Sequence, residues 1–477
     1  MRTASVVVII GATLCLAAAP PPKPRTVSPL PIADLAPFVD SIMTAEMARE
    51  KIPGAGFVLV QDGRVVLSRG YGLANVATGR RSSPESTIWR IGSISKVVTA
   101  TAVMTLVDQR KVDLDAPVIR YVHRVTIPKT YPEPVTVRHL LTHTAGFDEI
   151  RPGTQAGTSE GVLPFDRFLN GKLVRIRPPG QVIAYSTYGM TLAGELVEEV
   201  SGETFEGYLK RHIFEPLGMT RSSITVPNEM AGDLAIGYEY EADSLVPQPW
   251  EWYHTTPASS VNATVADMAR FLMAHLGRGA AGRSRILSEK AALEMQRQQI
   301  TMDPHIPGYG LGFNEDFVGT LRVIEHGGNV AGFSSLMVII PEARAGFFVV
   351  NHLEGSSLRD VLKEALLTRY FPRARARHPV PPHPKTGSVR AEQFAGRYGA
   401  LTSCWSCQPP RVWGVQTVTA DSTGAIRFAG RRWIPVGSHR FIREDGSGYI
   451  VFRGDEKGEI RTLFAGAYWG WQKLTKD

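Results

Sequence analysis

The chain has 477 residues, 43% of them apolar and 21% charged, with a formal net charge of +8. That is sequence enough for two or three folded domains, and its apolar content excludes a disordered chain. The positive balance favours solubility and weak attraction to anionic surfaces. No Lys/Arg-rich helix or aromatic-interleaved basic patch points to nucleic acid, because the densest basic run, Arg373 to Arg377, lies among prolines and reads as a solvated linker.

Residues 1–19 read as a signal peptide: Arg2 is the positive flank, Ser5 to Leu16 the apolar core, and Ala17-Ala18-Ala19 the small residues before a cut. The apolar run is short for a membrane span, and Leu14 before Cys15 does not suit a lipoprotein signal. The expectation is export, to the periplasm or outside the cell. Residues 20–33 form a proline-rich tether. Residues 34–51 then carry Leu35, Phe38, Val39, Ile42, Met43 and Met47 on one helical face. Two β-rich runs within 54–72 flank Asp62-Gly63, which predicts a hairpin.

An apolar helix-forming run begins directly behind Gly92-Ser93, where serine is a preferred cap and glycine permits a sharp turn into the helix. Ser93 and Lys96 are three residues apart, so on a helix they are surface neighbours. A serine hydroxyl needs a base to become a nucleophile, and a lysine can serve when burial lowers its affinity for the proton. Ser93 therefore reads as an acyl-forming nucleophile. Alone, a Ser-x-x-Lys spacing decides little.

From about 118 to 300 the pattern is mainly helical, with helices at Val137 to Leu141, Met190 to Val200, Phe205 to Ile213 and Val265 to Leu276. Strands return at Leu321 to Glu325, Ser334 to Ile340 and Gly346 to Asn351, followed by a helix at Leu358 to Tyr370. The outline predicts an α+β domain over 34–371: an antiparallel sheet flanked by helices, with a helical subdomain and a cleft between the two. A proline- and arginine-rich linker follows at 372–392. Residues 393–477 read as short strands with turns at Asp421-Ser422-Thr423-Gly424, Glu444-Asp445-Gly446 and Lys457-Gly458, a small all-β barrel or sandwich. Cys404 and Cys407 are the only cysteines beyond the leader, and in an exported chain this spacing favours a local disulfide over a metal site or a redox pair.

A Ser–Lys hydrolase also needs a second proton carrier and an oxyanion hole beside a strand edge. Tyr185-Ser186-Thr187-Tyr188-Gly189 opens a helix and offers a phenol. His326-Gly327-Gly328 follows a strand, and its glycines allow close backbone approach. Lys385-Thr386-Gly387 sits in the linker and reads as coincidence. His139 and His143 are four apart, yet no glutamate follows His139 as in a zinc helix, so no metal is expected.

With these residues in place, the sequence resembles the serine β-lactamase and penicillin-binding-protein superfamily. It is most similar to the class C-like branch of β-lactamases, D-aminopeptidases, carboxypeptidases and esterases. Ser93-Ile94-Ser95-Lys96 matches the first motif. Tyr185-Ser186-Thr187 stands where the family has Tyr-x-Asn, and His326-Gly327-Gly328 where it has Lys-Thr-Gly or His-x-Gly. Leu140 to Gly146, Pro216-Leu217-Gly218-Met219, Ala266 to Phe271 and Gly332-Phe333-Ser334-Ser335 agree as well, so the likeness spans roughly 34–370. It implies acylation of Ser93, proton shuttling by Lys96 and Tyr185, an oxyanion hole from the N–H groups of Ser93 and Asn329, and orientation of Tyr185 or the substrate by His326. Thr187, Gly327 and Gly328 would line the substrate, a small molecule or a peptide. No metal or organic cofactor is implied. Some peptidases of this branch carry a C-terminal β-barrel.

Thr187 replaces the family asparagine with a shorter arm and fewer hydrogen-bonding groups, and His326 replaces a permanent lysine charge. Both changes place peptidase or esterase ahead of β-lactamase. The rival reading is a catalytically silent binding or sensor protein on the same scaffold. Association with the cell wall or a membrane surface, and the oligomeric state, stay open.

Overall fold

The structure, a computed structural model, describes residues 32–474 apart from 151, 381–389 and 468. The expected leader, most of the tether, and Lys385-Thr386-Gly387 lie outside the described residues. Among those described, no helix is long and apolar enough to cross a membrane.

The chain opens on helix α1 (Ile32–Glu50) and a hairpin, β1 (Gly54–Gln61) and β2 (Arg64–Asn75), with Asp62-Gly63 at its turn as expected. A short β3 (Arg80–Arg81) and the nucleophile helix α2 (Ser95–Asp108) follow. After a helical region containing α3 (Thr187–Ser201), α4 (Thr256–Ser259) and α5 (Val265–Leu276), the chain returns to the sheet. It does so as β4 (Asn314–Val318), β5 (Leu321–Val330), β6 (Phe333–Ile340) and β7 (Ala345–His352), and α6 (Leu358–Tyr370) closes the unit. The sheet order is β4-β5-β6-β7-β1-β2-β3, with every neighbouring pair antiparallel.

Strand β1 shows why this sheet is a middle layer. All eight of its residues are buried, and since side chains alternate faces, both faces must be covered. Phe57 and Leu59 join Leu35, Val39 and Met43 of α1 and Leu358, Leu362 and Leu366 of α6 on one side. Val58 and Val60 join α2, α5 and the helical region on the other. Helix α2 is the innermost element: Ser95 through Leu106 are all buried. A helix apolar all round has no solvent face, so any polar residue it carries is buried with it.

Three local expectations need correcting. Ser93 does not cap α2: Gly92–Ile94 form a single 3₁₀ turn, α2 starts at Ser95, and no side chain caps either. The turn is possible because Gly92 takes φ +55°, and it leaves the Ser93 hydroxyl unspent on the backbone. The strand before His326 does not end at Glu325; β5 runs through His326-Gly327-Gly328-Asn329 to Val330 because Gly327, Gly328 and Asn329 pair with Leu336, Ser335 and Ser334. The helix expected over Phe205 to Ile213 is α-helical only to Leu209 and continues as a π-turn over Lys210–Phe214.

Strands β8 to β15 (Gly396–Ala400, Gln416–Ala420, Ile426–Phe428, Arg431–Pro435, Arg440–Arg443, Tyr449–Gly454, Ile460–Ala465 and Trp469–Lys473) close into a barrel. Phe394, Tyr398, Phe428, Phe441, Phe452 and Trp471 fill it. Cys404 and Cys407 are disulfide-bonded. The barrel does not stand apart. Leu401, Val451, Phe464 and Ala467 form a buried apolar cluster with Ile183, Ala184, Met302, Ile306 and Tyr309 of the first unit.

Candidate active site

The nucleophile turn is fixed from two sides. Ser95 Oγ donates to Gly92 O at 2.6 Å and accepts from Val261 N at 3.0 Å. On the other side Ser335 Oγ donates to Ile91 O at 2.9 Å. A Cβ on Gly328 would stand 2.1 Å from Ile91 O, and one on Gly92 would stand 2.9 Å from Asn329 N. Both glycines are therefore what lets β5 lie against the turn, bringing the Asn329 N–H beside the residue that precedes Ser93.

Lys96 is 1% exposed. Its Nζ donates to Ser93 Oγ at 3.1 Å and to Ala258 O at 2.9 Å. The Ala258 carbonyl is presented by α4, which is itself pinned to α2 where Thr99 Oγ1 donates to Pro257 O at 2.6 Å. The same ammonium lies 4.7 Å from the centroid of the Tyr185 ring. Ser93, Lys96 and Tyr185 are thus brought together, with Ser93 and Tyr185 partly exposed and Lys96 buried.

Tyr185 stands just before α3, which Ser186 caps by accepting from Gly189 N at 3.0 Å. Two imidazoles flank its ring, His143 at 4.5 Å and His326 at 6.1 Å between centroids. His143 Nδ1 accepts from Ser186 N at 3.1 Å, so its proton sits on Nε2. His326 Nδ1 lies 2.7 Å from Gly327 O; a carbonyl only accepts, so here the proton sits on Nδ1 and Nε2 is a lone-pair acceptor. Burial, reinforced by the Lys96 charge, pushes His326 down to about 3. The same two causes hold His143 well below the ordinary imidazole value. Both rings are neutral at physiological pH. His326 can accept from an O–H through Nε2 but offers neither a charge nor an Nε2 donor to a carboxylate.

Thr187 is the first residue of α3, and its N–H reaches both Glu149 carboxylate oxygens, at 3.0 and 2.9 Å. A carboxylate at a helix N-terminus satisfies an orphan donor and complements the helix dipole. Arg359 of α6 spreads one nitrogen over Gly328 O at 2.9 Å, Asn329 Oδ1 at 3.1 Å and Ser335 O at 2.9 Å, while Ser334 Oγ donates to Asn329 Oδ1 at 2.7 Å. The Asn329 side chain is thereby held while its backbone faces the nucleophile turn.

The structure brings Ser93, Lys96, Tyr185 and His326 together, sets Gly328 and the Asn329 N–H against the Ile91-Gly92 turn, and places Thr187 at the start of α3, two residues beyond Tyr185. His139 accepts from Thr136 N through Nδ1, closing a capping box, and His143 lies beside Tyr185. Ala258, Glu149 and Arg359 were missed. Ala258 acts through its carbonyl, which no side-chain pattern reveals, and the two charged residues act on backbone groups of remote elements. His143 lies in the Leu140 to Gly146 stretch, where its left-handed backbone, φ +54°, was a signal only coordinates supply.

The family model described as Beta-lactamase matches residues 39–368, most of the chain, and the protein belongs to that family. Among curated relatives, Protein flp of Staphylococcus aureus is 24% identical over 319 residues, 66% of this chain and 62% of that protein. The putative penicillin-binding protein PbpX of Bacillus subtilis is 29% identical over 189 residues, 40% of this chain and 46% of that one. The chain therefore spans under two thirds of the length of either. The solved octameric penicillin-binding protein homologue from Pyrococcus abyssi superposes with a TM-score of 0.61 at 26% identity. It covers 92% of this chain and 100% of its own.

Proposed function

We propose that the protein is an exported serine hydrolase that cleaves an ester or amide of a small molecule or peptide through an acyl-enzyme on Ser93. The observation carrying this reading is the buried Lys96 Nζ at 3.1 Å from Ser93 Oγ with the Tyr185 ring against the same ammonium. In the proposed cycle Lys96 acts as the free amine: Ser93 Oγ attacks the substrate carbonyl as its proton passes to Lys96 Nζ, and Lys96 relays a proton through the Tyr185 hydroxyl. The N–H groups of Ser93 and Asn329 receive the oxyanion, and Tyr185 returns a proton to the leaving group. Water then enters by the reverse route and releases the acid. His326 Nε2 would accept from the Tyr185 hydroxyl and fix its direction.

Neutral His326 favours an ester or peptide substrate over a β-lactam, whose carboxylate gains no cation there. Thr187 in the place of the family asparagine points the same way. The Cys404–Cys407 bond supports a location outside the reducing cytoplasm.

The test is labelling with a fluorophosphonate and with a fluorescent penicillin, followed by turnover of p-nitrophenyl esters, D-amino-acid amides and nitrocefin. The wild type is expected to take the phosphonate at Ser93 and to turn over esters or amides faster than nitrocefin; Ser93→Ala is expected to take none. A wild type that no acylating probe labels, with ligand binding unchanged by Ser93→Ala, would establish the silent-scaffold reading instead.

A further inference from the structure

Two anchors of the barrel converge on the segments that carry Tyr185. The residues before the tyrosine are gripped directly: Ile183 and Ala184 pack among Leu401, Val451, Phe464 and Ala467, and Arg453 donates to Gln181 O at 3.4 Å. The residues after it are gripped indirectly. Asp148, 1% exposed, accepts from the successive backbone N–H groups of Trp405 and Ser406, at 3.2 and 2.7 Å. Those donors lie inside the turn closed by the Cys404–Cys407 disulfide, which is further fixed by paired backbone bonds between Cys404 and Arg411. The next residue along from Asp148 is Glu149, the carboxylate that holds Thr187 N. Tyr188 Oη also donates to Ile150 O at 2.6 Å, a second tie between the segment around Asp148 and the start of α3.

We propose that Asp148 is a positioning residue: with the disulfide-closed turn of the barrel it fixes Glu149, and through Glu149 and Thr187 it sets how the Tyr185 ring and its hydroxyl are held against Lys96. The inference rests on the acyl-enzyme reading above. It gives the barrel a role in the reaction itself, although no barrel residue need touch the substrate. A buried carboxylate receiving two N–H donors from a neighbouring domain is a directional restraint, whereas apolar packing alone leaves sliding room. Misplacing a proton carrier by about 1 Å costs on the order of 10²-fold in rate.

The test is a double-mutant cycle on the full-length protein, reading the acylation rate of Ser93 by fluorophosphonate labelling, with melting temperature recorded alongside. Asp148→Ala is expected to slow acylation about 10- to 100-fold at temperatures well below its melting point. In a Tyr185→Phe background the same change is expected to cost less than about 2-fold, since the group it positions is gone. Asp148→Asn, which keeps one oxygen acceptor, is expected to fall between wild type and Asp148→Ala, and it decides the question if the alanine variant does not fold. An unchanged rate in a folded variant overturns the inference, as does an equal loss with and without the Tyr185 hydroxyl, which would mark Asp148 as a domain-docking group only. Absence of wild-type labelling overturns the hydrolase reading and this one together, while a labelled wild type with a null Asp148 effect overturns this one alone.

Discussion

Replacing Lys96 with methionine separates catalysis from stability. The methionine side chain is close in length and apolar, so it occupies the same buried channel while removing the Nζ that donates to Ser93 Oγ and Ala258 O. Loss of a general base costs about 10²–10⁴-fold, which is roughly 3–5 kcal/mol of barrier. On the stability side, the Ala258 carbonyl loses its donor, a cost of about 1–3 kcal/mol. Against that, folding no longer desolvates an ammonium, which costs several kcal/mol per ion. The variant is therefore expected to melt at or above the wild-type temperature while acylating at least about 10²-fold more slowly. Lys96→Arg should fail to rescue, because a guanidinium cannot give up its proton at working pH. Stopped-flow release of p-nitrophenol in a single turnover reads the rate, and calorimetry reads the melting temperature. A methionine variant that acylates within about 10-fold of wild type, a tenth of the smallest expected loss, would remove Lys96 from the reaction and with it the proposed mechanism.

Other consequences follow from the same geometry. Gly92→Ala should lower both the melting temperature and the acylation rate, since its Cβ would stand 2.9 Å from Asn329 N at φ +55°; a left-handed alanine alone costs about 1–2 kcal/mol. Arg359→Met frees Gly328 O, Asn329 Oδ1 and Ser335 O together. It is expected to reduce kcat more than it raises KM, measured on the best ester. Burial holds His326 and His352 down to about 3 and His275 down to about 4, from an ordinary 6.5. Below pH 6.5 the unfolded chain therefore binds protons that the folded chain refuses. Their stabilising effect is complete above that pH and is lost as pH falls through the interval toward 3 to 4. Urea midpoints should be flat on this account above pH 7 and fall below pH 6, and His275→Gln should reduce the slope.

Much of this organisation was legible because it is local. The hairpin around Asp62-Gly63, the amphipathic face of α1 and the limits of α5 and α6 all follow from spacing along a few turns of chain, and the structure places α5 and α6 where the pattern did. The spacing of Cys404 and Cys407 favours a local disulfide, and the two are bonded. The local readings failed where a partner element overrode them. Ser93 looks like a cap in isolation, yet β5 packing on Gly92 turns the chain through a 3₁₀ turn and leaves its hydroxyl uncommitted. His326 looks like the end of a strand, yet pairing with β6 extends that strand beneath the site.

The sequence by itself determined the reactive types and their nearest spacing: a hydroxyl and an amine three residues apart where the chain enters a helix too apolar to face water, which is why Lys96 is buried. Only the tertiary structure decided which distant groups complete them. The Ala258 carbonyl, the two neutral imidazoles beside Tyr185, and the Glu149 and Asp148 carboxylates that tie α3 to the barrel come from segments whose positions relative to α2 depend on packing. Covalent geometry fixes neighbours within a turn or a hairpin. Burial and the charge of Lys96, properties of the assembled core, fix what His326 can donate and accept.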